Sequence, residues 1–112
     1  MAGAAGDALG APVEFLRYDQ IVQKYGAGGI GDLETNSDGL ALITDDTQMT
    51  LFTAEGILRA FTRNIVKGIC HPPTVVFHAY QRWLLTQGYP QVEEFKGVYD
   101  GWLLGVQELY AR

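Results

Sequence analysis

The chain has 112 residues, enough for one small domain, and its hydrophobic fraction of 47% supports a packed core and excludes a disordered chain. Eight basic residues against 13 acidic ones give a net charge of −5, which argues against bulk electrostatic binding to nucleic acid or to an anionic membrane. The single cysteine, Cys70, cannot form an internal disulfide, which favours a reducing cytoplasm. We find no signal peptide and no apolar run of about 20 residues, so we expect a soluble, cytoplasmic protein.

The first predicted elements are two short helices and a loop. The small-residue segment AGAAGDALG has three glycines at helical intervals, which would let a helix approach another backbone closely. Apolar residues at i, i+3, i+4 and i+7 predict an amphipathic helix from Tyr18 to Tyr25, which Gly26 ends. The segment GAGGIGDLETNSDG is predicted to be a long loop. A phosphate-binding interpretation of its glycines is weaker, because no strand precedes them and no lysine follows them.

The strongest helix prediction begins after the segment ITDDTQMT. Apolar residues then recur at i, i+3, i+7, i+10 and i+14 and form one continuous stripe. The members of this stripe are Leu51, Ala54, Leu58, Phe61 and Ile65. The sequence His71-Pro72-Pro73 is predicted to end the helix.

Two further helices complete the prediction. One covers about Val75 to Thr86, with Val75, Ala79 and Trp83 facing inward, and another starts near Asp100. No alternating pattern is long enough to build a sheet, so the predicted fold class is all-α.

Two adjacent carboxylates, Asp45 and Asp46, stand between two threonines at the start of the long helix. One interpretation is a helix cap, in which Thr44 or Asp45 accepts a backbone N–H and Asp46 complements the positive end of the helix dipole. The other is a site for a hard cation, because Mg²⁺ and Mn²⁺ prefer oxygen ligands and this turn offers several. Three side chains cannot fill two six-coordinate sites, so further ligands would have to come from elsewhere.

Two more acids lie upstream in the segment GDALGAPVEF. Asp7 is either a local cap or part of a site. Glu14 is either a surface charge or, if the segment after Pro12 is extended and can move to cover a cleft, a general base or a clamp on the substrate. The residues alone leave both alternatives open.

In this order, GDALGAPVEF, the glycine-rich loop and ITDDTQMTLFTAEGIL resemble the N-terminal portion of the ADP-ribosylglycohydrolase family. The segments AYQRWLLTQG and DGWLLGVQEL are similar to those that follow in its bacterial members. The resemblance implies an all-α fold around a cleft that holds two Mg²⁺ or Mn²⁺ ions. It also implies hydrolysis of the bond between C1″ of ADP-ribose and a modified arginine or serine side chain.

The same resemblance assigns roles to individual residues. It implies that Thr44, Asp45 and Asp46 are metal ligands, that Glu14 is the catalytic flap glutamate facing the distal ribose, and that Asp7 has a supporting role. The family's second acidic motif has no counterpart here, because the acids after Asp46 are scattered singly or as a surface pair. We therefore expect residues 1–112 to form a single partial domain, the N-terminal part of an incomplete family fold, with half of the metal centre and no activity alone.

The resemblance implies an ADP-ribosylated protein or a small ADP-ribose derivative as the partner, without nucleic acid or membrane. A competing hypothesis is a non-catalytic helical fragment or binding module that self-associates through exposed helix faces. A different metal-dependent phosphohydrolase would share the TDDT sequence but would leave the flanking segments unexplained.

Overall fold

The computed structural model describes residues 1–68 and 71–111, so Cys70 lies outside the described residues. In these residues the chain forms α-helices and short 3-10 helices and no strand, which confirms the all-α prediction. The chain divides into two compact units, Met1–Thr47 and Gln48–Arg112. The single partial domain over residues 1–112 stays a prediction. None of the helices in the described part combines the length and the apolar composition that crossing a bilayer would require.

The first unit begins with the two predicted helices. Helix α1 covers Ala2–Gly10 and continues into a 3-10 turn, Ala11–Val13, where Pro12 has no N–H with which to extend the α-helical bonding. Helix α2 covers Tyr18–Tyr25 and ends at Gly26, which has a φ of 86°. An added Cβ on the glycines of α1 would meet no atom within 4 Å, so the close helix approach predicted there is not found among the described residues.

The glycine-rich segment between α2 and the long helix is a loop, as predicted. Its tip is an ordered turn, because Oδ1 of Asn36 accepts the N–H groups of Asp38 at 2.9 Å and of Leu40 at 3.1 Å. The loop is also tied to α2, since the Tyr25 hydroxyl donates to the Glu34 carboxylate at 2.5 Å. Side-chain hydrogen bonds therefore hold a segment that has no regular backbone ladder.

Helix α3 covers Asp45–Lys67 and helix α4 covers Pro72–Thr86. The prediction that His71-Pro72-Pro73 ends α3 is wrong, because α3 ends at Lys67, where Gly68 follows with a φ of 69°. Both prolines lie in the first turn of α4, which begins at Pro72 rather than near Val75. The reason is that the first turn of a helix tolerates proline, whose missing N–H would have no partner there.

In the second unit, the buried side of α3 is not its apolar stripe. Phe52 and Ala60 expose 0% and 6% of their surface, whereas Leu58, Phe61 and Ile65 expose 59%, 63% and 67%. An apolar stripe normally faces the core of its domain. Here the core instead consists of Phe52 together with α4 and the C-terminal turns. Its fully buried members are Phe52, Ala79, Leu103 and Leu109.

Helices α3 and α4 approach each other closely at Gly56. A Cβ added there would lie 3.0 Å from the Cβ of Ala79 and 3.2 Å from the Cα of Val76. The predicted inward positions Val75 and Ala79 are buried, and the partly buried Trp83 packs against the core. Small residues at the contact allow this approach, so the side of α3 that carries Gly56 faces α4.

The α-helix predicted from Asp100 is wrong. The C-terminal segment forms separate 3-10 turns at Glu93–Val98, Trp102–Gly105 and Gln107–Leu109. Gly101 has a φ of 109°, a value that interrupts a helix and that glycine adopts without strain. The apolar pattern of this segment therefore anchors Leu103 and Leu109 in the core without helical periodicity.

Glu55 and Arg82 form a salt bridge inside the second unit. Arg82 Nε donates to Glu55 Oε1 at 2.9 Å, and the two side chains are only 1% and 3% exposed. Glu55 also accepts the N–H of Leu103 at 3.3 Å, and Arg82 donates to the carbonyl of Val98 at 3.2 Å. Burial and the neighbouring Arg59 lower the pKa of Arg82, and Glu55 opposes that shift. The sequence pattern placed Glu55 among the scattered acids and did not indicate this burial.

Lowering the pH from about 8 to about 5 is expected to reduce the free energy of unfolding in part through His78. Burial lowers the pKa of His78, and the nearby charges of Arg63 and Arg82 lower it further. The ring also packs against Phe95, with a centroid distance of 5.6 Å. An unfolded histidine has a pKa of about 6.5, so the unfolded chain binds more protons and stability falls as the pH drops through that value.

Urea unfolding between these pH values measures the effect. The variant His78→Gln should show a shallower dependence of stability on pH than the parent chain. Equal slopes for the two proteins would contradict the prediction.

Candidate functional site

The candidate site lies in the first unit, where a cleft of about 250 Å³ combines glycines with carboxylates. Helix α1, the 3-10 turn that follows it and the first turn of α3 supply the lining residues. These residues are Gly6, Asp7, Gly10, Ala11, Glu14 and Asp46. The cleft is therefore small, open and acidic.

The spacing of α1 explains how the cleft is formed. Gly6 and Gly10 are four residues apart and so lie on one face of the helix, and Asp7 is adjacent to Gly6. A Cβ at either glycine would point into open space, because no atom lies within 4 Å of that position. The absence of side chains at these two positions leaves room beside the carboxylates.

Asp7 holds the start of α3. Its Oδ2 accepts the backbone N–H groups of Thr44 at 2.8 Å and of Thr47 at 3.2 Å. The two threonine hydroxyls donate to the same carboxylate, Thr44 Oγ1 at 2.6 Å and Thr47 Oγ1 at 2.5 Å. We call this set of four hydrogen bonds the Asp7 clamp. It satisfies donors that the first turn of a helix would otherwise leave without partners.

The charge of Asp7 is favoured by the clamp. Burial by itself would raise the pKa of Asp7, but the hydrogen bonds from Thr44 and Thr47 outweigh it and lower the pKa below its ordinary value of 3.8. A carboxylate is also stabilised by the positive end of the helix dipole. Asp7 is therefore an anion whose oxygens are already engaged, which suits a residue that positions its neighbours.

Thr44 caps α3, which confirms one form of the capping interpretation. Its Oγ1 accepts the N–H of Asp46 at 3.2 Å while its own proton goes to Asp7. A hydroxyl oxygen has two lone pairs, so one of them is still available to a ligand. The cap and a second role for Thr44 are therefore compatible.

The remaining predicted site residues are distributed unevenly. Asp46 and Glu14, both exposed, line the cleft together with Asp7. Asp45 is also exposed and begins α3, but it is not among the residues that line the cleft. The structure thus brings Asp7, Glu14 and Asp46 to one cleft, with Thr44 joined to them through the clamp.

The oxygen ligands at this site are of the kind that a hard cation prefers, but there are too few of them to complete its coordination. Two carboxylates and a hydroxyl are oxygen ligands of the type that Mg²⁺ and Mn²⁺ prefer. Within residues 1–68 and 71–111, however, no three His, Cys, Asp or Glu side chains are grouped so that they could hold a metal ion. Asp7 already accepts four hydrogen bonds in the clamp, three of them at Oδ2, so its carboxylate is engaged in holding α3.

Thr47 is the site residue that sequence reasoning missed. The TDDT sequence indicates roles for Thr44 and for its two acids, but it indicates none for Thr47. Its hydroxyl and N–H both bind Asp7, which lies 40 residues earlier in the chain. The only signal available was the pair of threonines flanking the acids, and that signal does not identify the distant partner.

Comparison with known proteins gives one finding. The family model described as ADP-ribosylglycohydrolase matches residues 1–109 of this chain. No curated protein and no solved structure matches it significantly.

Proposed function

The chain belongs to the ADP-ribosylglycohydrolase family, and we propose that it carries half of a site that hydrolyses the bond between ADP-ribose and a modified side chain. The acceptor would be an arginine- or serine-type side chain on a protein, or a small ADP-ribose derivative. The observation that supports this proposal best is the Asp7 clamp, which holds Thr44 and Asp46 beside a cleft that Glu14 also lines.

In this proposal Thr44, Asp45 and Asp46 are ligands of a dinuclear Mg²⁺ or Mn²⁺ centre. The clamp fixes the first turn of α3, so the backbone that carries the three residues is set before a metal binds. Such pre-organisation lowers the entropy that binding would otherwise cost. A bound dication would supply Lewis-acid polarisation of the ribose oxygens.

Glu14 is the proposed catalytic group. Its backbone N–H bonds the carbonyl of Ala11 at 3.3 Å at the end of the 3-10 turn, and its exposed side chain lines the cleft. Cleavage of a glycosidic bond develops positive charge on the sugar ring, and a nearby carboxylate stabilises that charge. In this proposal Glu14 stabilises this charge, accepts a proton or holds the distal ribose.

The alternative is a non-catalytic binding module. It is favoured by one specific observation: among the described residues, no three His, Cys, Asp or Glu side chains are grouped so that they could hold a metal ion. The two functions differ in what they predict for metal binding, because a binding module needs no cation at TDDT.

Removing both carboxylates in Asp45→Ala/Asp46→Ala is expected to weaken Mn²⁺ binding at least tenfold, a loss of about 1.4 kcal/mol or more. Calorimetric titration of the 112-residue chain with Mn²⁺ measures the change. Asp19→Ala/Asp38→Ala is the matched control, since it removes the same charge from exposed positions elsewhere in the first unit. Mn²⁺ binding by this control should remain close to that of the parent chain.

The same titration decides between the two functions. Equal Mn²⁺ binding by the parent chain and by Asp45→Ala/Asp46→Ala would remove the metal-ligand assignment and leave the binding module. Release of ADP-ribose from a modified arginine or serine peptide by the chain alone would contradict the half-site and support a complete one.

A further inference from the structure

The hydroxyl of Thr44 makes two hydrogen bonds inside the first unit, and its partners fix the direction of both. Oγ1 of Thr44 lies 2.6 Å from Oδ1 of Asp7 and 3.2 Å from the backbone nitrogen of Asp46. An ionised carboxylate only accepts hydrogen bonds, and a backbone N–H only donates them. The single proton of the hydroxyl therefore points at Asp7, and one lone pair of Oγ1 points at Asp46.

These two directions limit what the Thr44 oxygen can bind. A hydroxyl has one proton and two lone pairs, so within the described residues the two bonds leave Thr44 one unused lone pair. A cation or a hydrogen-bond donor can meet that lone pair. An acceptor such as a phosphate or carbonyl oxygen cannot, because the proton is already given to Asp7. Asp7 thus decides the polarity that Thr44 presents to a ligand.

The two oxygens of Asp7 receive different kinds of donor. Oδ2 accepts the backbone N–H groups of Thr44 and Thr47 and the hydroxyl of Thr47, whereas Oδ1 accepts the hydroxyl of Thr44. A backbone N–H cannot reverse its role, but a hydroxyl can rotate and either donate or accept. An amide in place of the carboxylate would therefore keep its oxygen at the Oδ2 position and turn its NH₂ group toward Thr44.

We propose that Asp7 is a positioning residue that holds the Thr44 oxygen as an acceptor, so that a cation can bind through it. This inference rests on the proposed function for the identity of the cation, Mg²⁺ or Mn²⁺, but not for the direction of the hydroxyl. Thr47 supports the same arrangement indirectly, because its hydroxyl and N–H both bind Oδ2 and Oδ1 faces Thr44. This role is distinct from holding the backbone of α3.

Asp7→Asn tests the direction of the hydroxyl in metal-free protein. The amide would donate to Thr44 Oγ1, so the Thr44 proton would turn to the position of the unused lone pair. Proton NMR measures this change, because a hydroxyl proton bonded to a carboxylate exchanges slowly with water. The parent chain should show signals from the Thr44 and Thr47 hydroxyls. In Asp7→Asn the Thr47 signal should persist and the Thr44 signal should be lost.

Calorimetric titration with Mn²⁺ measures the consequence for binding. Asp7→Asn should weaken Mn²⁺ binding on the order of tenfold or more, because a proton occupies the position that the cation needs. Thr47→Val is the matched comparison, since it removes one hydrogen bond at Oδ2 and leaves the bond between Thr44 and Oδ1 in place. It should also lower the free energy of unfolding, but it should weaken Mn²⁺ binding by less than about threefold.

Three results would overturn the proposal, and circular dichroism establishes that each variant compared is folded. The first is a parent chain without a slowly exchanging Thr44 hydroxyl proton, which needs no variant. The second is a Thr44 signal that persists in Asp7→Asn. The third is an equal loss of Mn²⁺ binding in Asp7→Asn and Thr47→Val, which a purely structural clamp predicts. The expected NMR change in a chain that binds no Mn²⁺ would support the hydroxyl direction and contradict the proposed function instead.

Discussion

Replacing Arg82 by methionine is expected to lower the free energy of unfolding by about 3–5 kcal/mol, because it leaves the carboxylate of Glu55 buried without its counter-ion. Glu55 is 3% exposed, and within the described residues its other hydrogen bond comes from the N–H of Leu103 at 3.3 Å. A buried charge without a partner costs far more than a lost surface interaction. Urea unfolding followed by circular dichroism measures the loss.

The double variant Glu55→Gln/Arg82→Met should recover at least about 1–2 kcal/mol of that loss. Glutamine can still accept the N–H of Leu103, and methionine fills part of the space left by the guanidinium without a charge. Arg82 Nη2 has no hydrogen-bond partner within the described residues, so the native pair is itself incompletely satisfied. Exchanging both residues therefore removes the attraction between the two charges, but it also removes the free-energy cost of burying them.

The exposed pair formed by Lys96 and Glu93 is the control for this prediction. The two side chains are 75% and 89% exposed and lie 3.9 Å apart. Lys96→Met should change the stability by less than about 1 kcal/mol. Equal losses in Lys96→Met and Arg82→Met would contradict the account of Arg82 as a buried partner.

Replacing Asp7 by alanine is expected to lower the stability by about 2–3 kcal/mol, because four hydrogen bonds to one carboxylate are lost together. Bonds to a charged acceptor contribute about 1.5–3 kcal/mol each in isolation, but bonds that share one acceptor do not add. Helix-cap residues of this kind contribute about 0.5–2 kcal/mol alone, so the clamp should exceed a simple cap. Denaturant unfolding measures the effect.

Asp7→Asn separates the geometry of the clamp from its charge. The side chain keeps its shape but has one acceptor oxygen in place of two, so its stability should fall between those of the parent chain and Asp7→Ala. Asp38→Asn, at an exposed loop position, should change stability by less than about 0.5 kcal/mol. An Asp7→Asn variant as stable as the parent chain would show that the paired carboxylate oxygens do not hold α3.

Much of the local structure follows from the sequence. Periodicity and glycine positions predicted α2 and its end at Gly26, and the strongest pattern predicted α3. Thr44, which caps α3, is one of the two residues that the capping interpretation predicts as the cap. These features depend on hydrogen bonds between residues close in the chain, so the residues that encode them lie together in the sequence.

Only the tertiary structure decided which side of α3 is buried. The apolar stripe predicted one buried side, but α3 contacts α4 through the side that carries Gly56. A Cβ added to Gly56 would lie 3.0 Å from the Cβ of Ala79. The burial of Glu55 follows from the same packing, since Arg82 on α4 supplies its counter-ion. Both outcomes depend on residues that lie more than 20 positions apart, and a local pattern carries no information about them.

The candidate site divides in the same way. The sequence by itself determined which oxygen donors the site contains, because Asp7, Glu14 and the two acids of TDDT can be recognised from the residues alone. The tertiary structure decided their surroundings, since the carboxylate of Asp7 binds Thr44 and Thr47 and the side chains of Asp46 and Glu14 lie along one cleft. The physical reason is that a carboxylate's role depends on which donors reach it, and the donors of Asp7 lie 37 and 40 residues away.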